Sequence, residues 1–403
     1  MHFSSIVFGR VLEGIDRRAF SSIVDGQDGD AYDKTFDSWQ HVRALVFAQL
    51  SGIDSLRGLE AVWNAHRQHH YHLGGGELRR STLSDANQRR PVAVFAQLLE
   101  SLSAQLGRHA RKESGQMIRL LDSTPIPLGK LSHWAKSNGR IRGMKAHVLY
   151  DPEAEAPRII DVTHANVNDA QIGRTVAIEP GVTYVFDKGY CHYGWWTAIA
   201  KAEAFFVTRP KTRMGLTAIL ARAVAERQPG QVQADGFVVI QDAEVTFSSK
   251  GDSKLPIRLR CITIRRQDHS RTPAEKPAKS DLITLLTNDM TRPAFEVGAL
   301  YKRRWQIELL FRWIKQHLKI RKFLGHSENA VKLQVLAAMI AFVLIRIAAR
   351  KYRATHTILR FAGLVSQCLF ERRDLARIEK PPPVNPSVRL SKTNPNQIAF
   401  QYV

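Results

Sequence analysis

At residue 117 the spacing of apolar residues switches from a helical repeat to a strand repeat, and this switch limits the possible folds more than any other feature. Upstream, Trp39, Val42, Leu45, Val46 and Leu50 recur at helical spacing, and so do Val94, Phe95, Leu98, Leu99, Leu102 and Leu106. Downstream, three strand-like runs follow one another: Met117–Thr124, Gly143–Tyr150 and Pro157–Thr163, the last two separated by the acidic turn at 151–156. A short helix over Asn168–Ala177, a strand over Val182–Asp187, a helix over Trp195–Ala202 and a strand over Ala204–Thr208 come next. Three neighbouring strands followed by alternating helix and strand predict an α/β core with a mixed rather than fully parallel sheet. From about 210 to 291 the pattern is β-like again, in Val238–Ile240, Glu244–Phe247, Ile257–Arg266 and Leu282–Leu286, with polar linkers between; this reads as a β-rich insertion. Helical patterning returns at about 294 and runs to about 350, and the proline run after Glu379 opens a loose tail.

Charge narrows the partner. The chain has 59 Lys and Arg against 37 Asp and Glu, a net charge of +22 over 403 residues. That surplus points to a polyanion, with nucleic acid ahead of an anionic membrane surface. The apolar run Val335–Ile345 is too short for a membrane span and lies between Lys332 and Arg346, so a buried helix is expected. The N-terminus lacks the layout of a signal peptide, and Cys191, Cys261 and Cys368 form no paired or C-x-x-C framework. These features predict no membrane association and a cytoplasmic location, at the nucleoid when bound to DNA.

Two carboxylates close apolar strands where the chain turns polar, Asp122 in LLDSTP and Asp187 in VFDKGY. Side chains of adjacent strands converge at such ends, and a pair of carboxylates there would make hard-oxygen ligands for Mg²⁺. A third element strengthens the pairing. With Tyr301 at zero and 100° per residue, Arg304 falls at about 300°, Glu308 at 340°, Arg312 at 20°, Lys315 at 320° and Lys319 at 0°. A helix over 300–322 therefore carries one polar stripe, while Trp305, Ile307, Leu309, Leu310, Phe311, Trp313, Ile314 and Leu318 fill the rest of its circumference. Such a helix is expected to be mostly buried, with its stripe facing something polar.

The spacing Tyr301-x2-Arg304-x3-Glu308-x6-Lys315, with both aspartate motifs in order, resembles the signature of DDE transposases of the insertion-sequence-four family. The resemblance runs from about 117 to 346 and more loosely over the helical N-terminal region. It implies a ribonuclease H-like catalytic core holding two Mg²⁺ ions (Mn²⁺ substituting) on Asp122, Asp187 and Glu308. In-line displacement at phosphorus suits two metals and needs no covalent enzyme intermediate. By similarity Tyr301, Arg304 and Lys315 contact phosphates, and Arg312 and Lys319 extend that row.

The expected activity is cleavage at the ends of an insertion sequence and strand transfer to target double-stranded DNA, by a dimer assembled on the DNA. A metal-dependent nuclease without strand transfer and a non-cutting DNA-binding regulator are the alternatives. The expected division is a helical N-terminal DNA-binding domain at 1–115, the core at 116–210 and 292–350, the insertion at 211–291 and a helical C-terminal segment with its tail at 351–403. Residues 81–90 suit either a helix-turn-helix reader or an ordinary bundle; Gln88 and Arg89 are the candidates for reading the element's ends. Some relatives stack a flipped base on a tryptophan of the insertion; none lies between 210 and 291, and Phe237 and Phe247 are the aromatics in that stretch. His66, His69, His70 and His72 read as a solvated loop rather than zinc ligands, and Lys145 and His147 share one face of a strand.

Overall fold

The computed structural model of the chain describes residues 6–31, 35–73, 75–110, 117–211, 214, 216–222, 236–247, 257–266, 282–317 and 323–380. Its N-terminal part is helical, as the periodicity predicts: α1 (Val7–Leu12), α2 (Arg17–Asp25), α3 (Ser38–Ser51), α4 (Leu56–Ala65), the single turn α5 (His70–Leu73), α6 (Arg80–Arg89) and α7 (Val92–Ala110). Asp37 starts α3 by accepting a hydrogen bond from the Gln40 backbone N–H at 2.7 Å, and Gly52 ends it in the left-handed conformation at φ 68°. This helix is buried almost all round, Arg43 included. The Arg43 guanidinium lies 5.8 Å from the rings of both Trp39 and Trp63 and donates to the Leu73 carbonyl. Burial pushes its pKa down to about 10. Gly75 closes over it, because a Cβ there would stand 1.7 Å from Arg43 Nη2.

The histidine-rich stretch is packed rather than solvated. His66 stacks on Phe370 at 4.0 Å, and His70, 5% exposed, stacks on Trp63 at 5.2 Å. Ring faces from the N-terminal helices thus meet the C-terminal segment, a contact with no local mark in the sequence.

Among the described residues nine strands form one sheet in the order β3-β2-β1-β4-β5-β9-β8-β7-β6. They are β1 (Ile118–Pro127), β2 (Gly143–Asp151), β3 (Ala156–His164), β4 (Thr183–Phe186), β5 (Phe205–Thr208), β6 (Leu216–Ala221), β7 (Phe237–Phe247), β8 (Leu259–Arg266) and β9 (Leu282–Thr287). β1 runs parallel to β4 and β4 to β5, while β2, β3 and the strands from β6 to β9 add antiparallel pairs, so the sheet is mixed. The β-rich stretch continues this sheet from the edge of β5. Helices α8 (Asp169–Gly173) and α9 (Tyr193–Lys201) connect the central strands, and α10 (Ala294–Arg303), α11 (Trp305–His317), α12 (Glu328–Lys351) and α13 (Ile358–Gln367) follow.

The long α12 is the buried helix expected around Val335–Ile345. It is apolar and long enough to match a membrane span by composition, yet 89% of its most apolar window is buried within the protein. It packs on α1, α3, α6 and α7 and on β3, so the N-terminal helices and the sheet share one hydrophobic core. Each fully buried Leu, Ile or Val along it stabilises the fold by about 1.5–3 kcal/mol.

Candidate active site

β1 and β4 are parallel neighbours with Leu121 opposite Phe186. Asp122, midway along β1, and Asp187, just past the end of β4, therefore stand side by side on neighbouring strands, which lie about 4.8 Å apart. β1 does not close at Asp122 as expected but runs on to Pro127, paired with β2. The first half of β1 is buried on both faces, by Ile118, Leu120 and Leu121 and by Arg119, which pairs with Asp151, and the strand becomes half-exposed at Asp122 and Ser123. Asp122 accepts hydrogen bonds from the Ser123 backbone N–H and from Arg304 Nη1, both at 2.8 Å. Nη2 of the same guanidinium donates to Glu308 Oε1 at 2.5 Å. Burial pushes the Asp122 carboxyl up to about 6; Arg304 and the Ser123 N–H oppose the rise, and Asp187 and Glu308 add to it.

The helix expected over 300–322 is two helices. Arg304 separates α10 from α11, and the hydrogen bonds Arg304 N–H to Tyr301 C=O and Ile307 N–H to Arg304 C=O tighten the junction to a three-residue turn. Neither Gly nor Pro marks the break; the bonds of Arg304 to Asp122 and Glu308 favour it. Trp305 and Leu309, expected inside, are 52% and 46% exposed; on the same wheel they fall at about 40° and 80°, on the border of the polar stripe beside Arg312 at about 20°. Tyr301 is buried with its ring 5.6 Å from the Arg304 guanidinium, which holds that side chain from its other face. Arg312 and Lys315 are exposed on α11, Arg312 with its guanidinium 5.8 Å from the Trp305 ring. Lys319 lies outside the described residues.

Of the residues singled out from sequence, Asp122, Asp187, Tyr301, Arg304 and Glu308 come together. Gln88 and Arg89 do not join them. Gln88 lines a groove beside α6, and Arg89 is exposed and pairs with Asp85 at 3.7 Å. The helix carrying them starts at Arg80 with Arg79 before it, and no side chain caps it. Phe237 is 3% exposed and packed so tightly on α10 that a Cβ at Gly298 would stand 2.6 Å from its ring, which excludes it as a stacking surface. The Phe247 side chain lies outside the described residues.

Sequence reasoning missed Asp169. Asn168 caps α8 and places Asp169 in its first turn. Its carboxylate accepts from Lys145 Nζ at 2.7 Å and from Ser123 Oγ at 3.3 Å, and a Cβ on Gly189 would stand 3.2 Å from it. One carboxylate thus touches the residue after Asp122 and the loop after Asp187. His147 lies behind it, wholly buried, with its ring nitrogens on Tyr190 Oη at 3.2 Å and Thr163 Oγ1 at 3.0 Å. Burial pushes this imidazole down to about 4, so it is neutral. Lys145 and His147 do share a face, but it is packed against α8 rather than turned to solvent. Only the polar pair at Asn168-Asp169 hints at this in sequence.

Among the described residues no three carboxylates, histidines or cysteines stand close enough to grip a single ion, because Arg304 lies between Asp122 and Glu308. The donor set nonetheless fits a hard divalent cation: Asp122 and Glu308 share one guanidinium, Asp187 stands beside Asp122 on the neighbouring strand, and burial raises the Asp122 carboxyl.

Residues 113–344 match the family described as the transposase DDE domain, and residues 4–75 match a domain of unknown function. A Sinorhizobium fredii protein bearing the name of a transposase, y4zB, is 63% identical over 321 residues, 80% of this chain and 86% of its own length. A Geobacillus stearothermophilus protein named as a transposase of the insertion sequence element IS5377 is 27% identical over 66% of each chain. A Synechocystis protein named for the element IS4SA is 25% identical over 68% of this chain and 73% of its own. The family match spans more than half of the chain and encloses Asp122, Asp187 and the helix of Glu308: the chain belongs to the DDE transposases of insertion sequences.

Proposed function

We propose that this transposase binds the ends of its insertion sequence, cuts the DNA by two-metal phosphodiester hydrolysis and joins the freed ends to target DNA. The observation that carries the reading is the convergence of Asp122 and Asp187, from adjacent parallel strands, with Glu308, delivered by the Arg304 bridge. Membership of the family implies a DNA substrate and dependence on a divalent metal. Asp122, Asp187 and Glu308 are the residues that would hold it, with Mg²⁺ as the ion, two per site, and Mn²⁺ as a substitute. Bound there, the metal supplies Lewis-acid stabilisation of the entering and leaving oxygens.

The chain's own residues do the rest. Arg304 fixes the separation of the first and third acids and is placed to move onto a phosphate bidentately. Tyr301 holds it from behind, and Arg312 and Lys315 line the exposed side of α11 as phosphate contacts. The exposed Trp305 ring beside them offers a stacking face for an unpaired base. The assembly on DNA would be a dimer, one site per end.

The test uses a plasmid carrying the natural element ends, with Mg²⁺ or Mn²⁺. Asp122→Ala, Asp187→Ala and Glu308→Ala should each abolish cutting and leave end binding within about twofold, since no positive charge is removed. Persistent cutting by one variant removes that residue from the site. Cut but unjoined products from the wild type would favour a nuclease, and binding with no cut at all would favour a regulator.

A further inference from the structure

We infer that the groove between α6 and the loop after β1 grips the duplex phosphate backbone about six nucleotides inside the cleaved bond. The inference rests on the reading of the chain as a DNA-cutting enzyme and adds where the uncut part of the substrate lies. The groove has a volume of about 810 Å³ and lies where the N-terminal helices meet the core. Its walls come from α4, α6, the loop following β1 and the segment leading into α12.

Three observations select a polyanion. First, the groove carries Arg57, Arg80, Lys130 and His326, all exposed, against a single acid, Asp54. Second, two helices begin at its wall. Ser55 caps α4 by accepting from the Gly58 N–H, and Ser327 caps α12 by accepting from the Ala330 N–H. Both caps line the groove, so the positive ends of a 10-residue and a 24-residue helix open into it, and helix N-termini favour phosphate. Third, Gln88 of α6 is exposed on the same wall, whereas Asn87 is tied to His41 at 2.8 Å. A base-reading amide therefore stands beside the phosphate-binding groups. The apolar floor of Leu128, Leu131 and Phe323 suits the sugar faces between phosphates.

The register follows from β1. The strand runs from Asp122 directly to the groove residue Leu128, six positions on, or roughly 20 Å at about 3.3 Å per residue. Along a DNA strand with a spacing of about 3.4 Å, that is about six nucleotides. A duplex with its end phosphate at Asp122 lies across the groove at that remove.

The experiment measures salt dependence and ethylation interference with the full-length protein and an end-carrying duplex, comparing the wild type with Arg57→Ala, Arg80→Ala, Lys130→Ala and the triple variant. The slope of log affinity against log salt should flatten by about 0.9 for each side chain lost, so by about 2.7 in the triple variant. Interference at phosphates about five to seven nucleotides inside the cut should fade in the variants, while interference at the cut itself stays. All three side chains are exposed, and matching thermal unfolding of variants and wild type checks that the fold is kept. Unchanged slopes with an unchanged interference pattern, in a wild type that binds and cuts its ends, would overturn the groove assignment and leave the transposase reading standing. A wild type that neither binds nor cuts would overturn the reading beneath it. Equal loss of interference at every phosphate would place these side chains in a diffuse field rather than a grip, and would also overturn the inference.

Discussion

Arg304 and Asp122 stand 182 positions apart in the chain and meet at 2.8 Å. The other arm of the same guanidinium reaches Glu308 in the next turn. One cation therefore sets the separation of the first and third acids and opposes the upward push of burial on the Asp122 carboxyl. A carboxylate kept in such surroundings stores unfavourable energy for later use, and this can be measured.

Asp122→Asn should make the metal-free protein more stable at neutral pH while abolishing cleavage. The folded carboxyl titrates at about 6 against 3.8 for the free group, so the folded state binds this proton more tightly than the unfolded chain. The destabilisation is absent below about pH 3.8, grows between the two values and is full above 6. That difference, which already includes the attraction to Arg304, corresponds to at most about 3 kcal/mol. Thermal unfolding in a chelator should place the variant above wild type near neutral pH, with the gap closing as the pH falls towards the ordinary carboxylate range. A variant less stable than wild type at neutral pH would contradict the origin of the shift in burial.

The Lys145–Asp169 pair should be coupled. Lys145 and Asp169 side chains are 13% and 27% exposed, so Asp169→Asn leaves an ammonium with little water and no counter-charge. We expect a loss of about 2–3 kcal/mol, below the roughly 3–5 kcal/mol of a fully buried pair. Adding Lys145→Met should recover part of it, with a coupling energy of about 1 kcal/mol or more in denaturant titrations. Additive losses would mean that the two charges do not depend on each other. Cleavage should also fall in Asp169→Asn, because Asp169 holds Ser123 next to Asp122.

What the sequence reveals and hides follows from how local each signal is. β1, β4 and the aspartates after their apolar runs are readable because such runs need no tertiary context, but the pairing of β1 with β2 carries that strand on past Asp122 to Pro127. β7 reads as two short pieces because a register shift between Val239 and Gln241 interrupts its alternation, and β6 has no alternation to find. The break at Arg304 carries no local marker at all, since two carboxylates, one distant and one neighbouring, cause it. Trp305 and Leu309 sit at about 40° and 80° on the helical wheel, bordering the polar stripe, and only their apolar character suggests burial. The role of Asp169 depends on strands β1 and β2 arriving from elsewhere, so a polar pair before a short helix looks like a simple cap.

Overall affinity should be dominated by phosphates. If the +22 surplus engages about 6–10 of them, end binding should weaken roughly 10³–10⁵-fold from 50 to 200 mM salt. Filter binding across that range decides it. An affinity that barely changes would mean that the excess charge serves solubility or another partner.

Gln88 and Arg89 are both candidates for reading the element's ends, and their surroundings separate them. Gln88 faces the groove beside Arg80 and Lys130, whereas Arg89 is 75% exposed and engaged with Asp85 within its own helix. A side-chain amide at a groove wall can bond to base edges, and a solvent-facing arginine with a counter-ion one turn back mainly adds charge. Gln88→Ala should therefore lower the preference for the element's own ends over scrambled DNA by about five- to fifty-fold, the range of one lost base contact at about 1–2.3 kcal/mol. Arg89→Ala should weaken both duplexes alike and change the preference little, and Lys315→Ala should slow cutting without touching it. Competition binding of end-carrying and scrambled duplexes at one salt concentration measures all three. If Gln88→Ala weakened both duplexes equally while Arg89→Ala lost the preference, the reading face of α6 would be its outer side and not the groove.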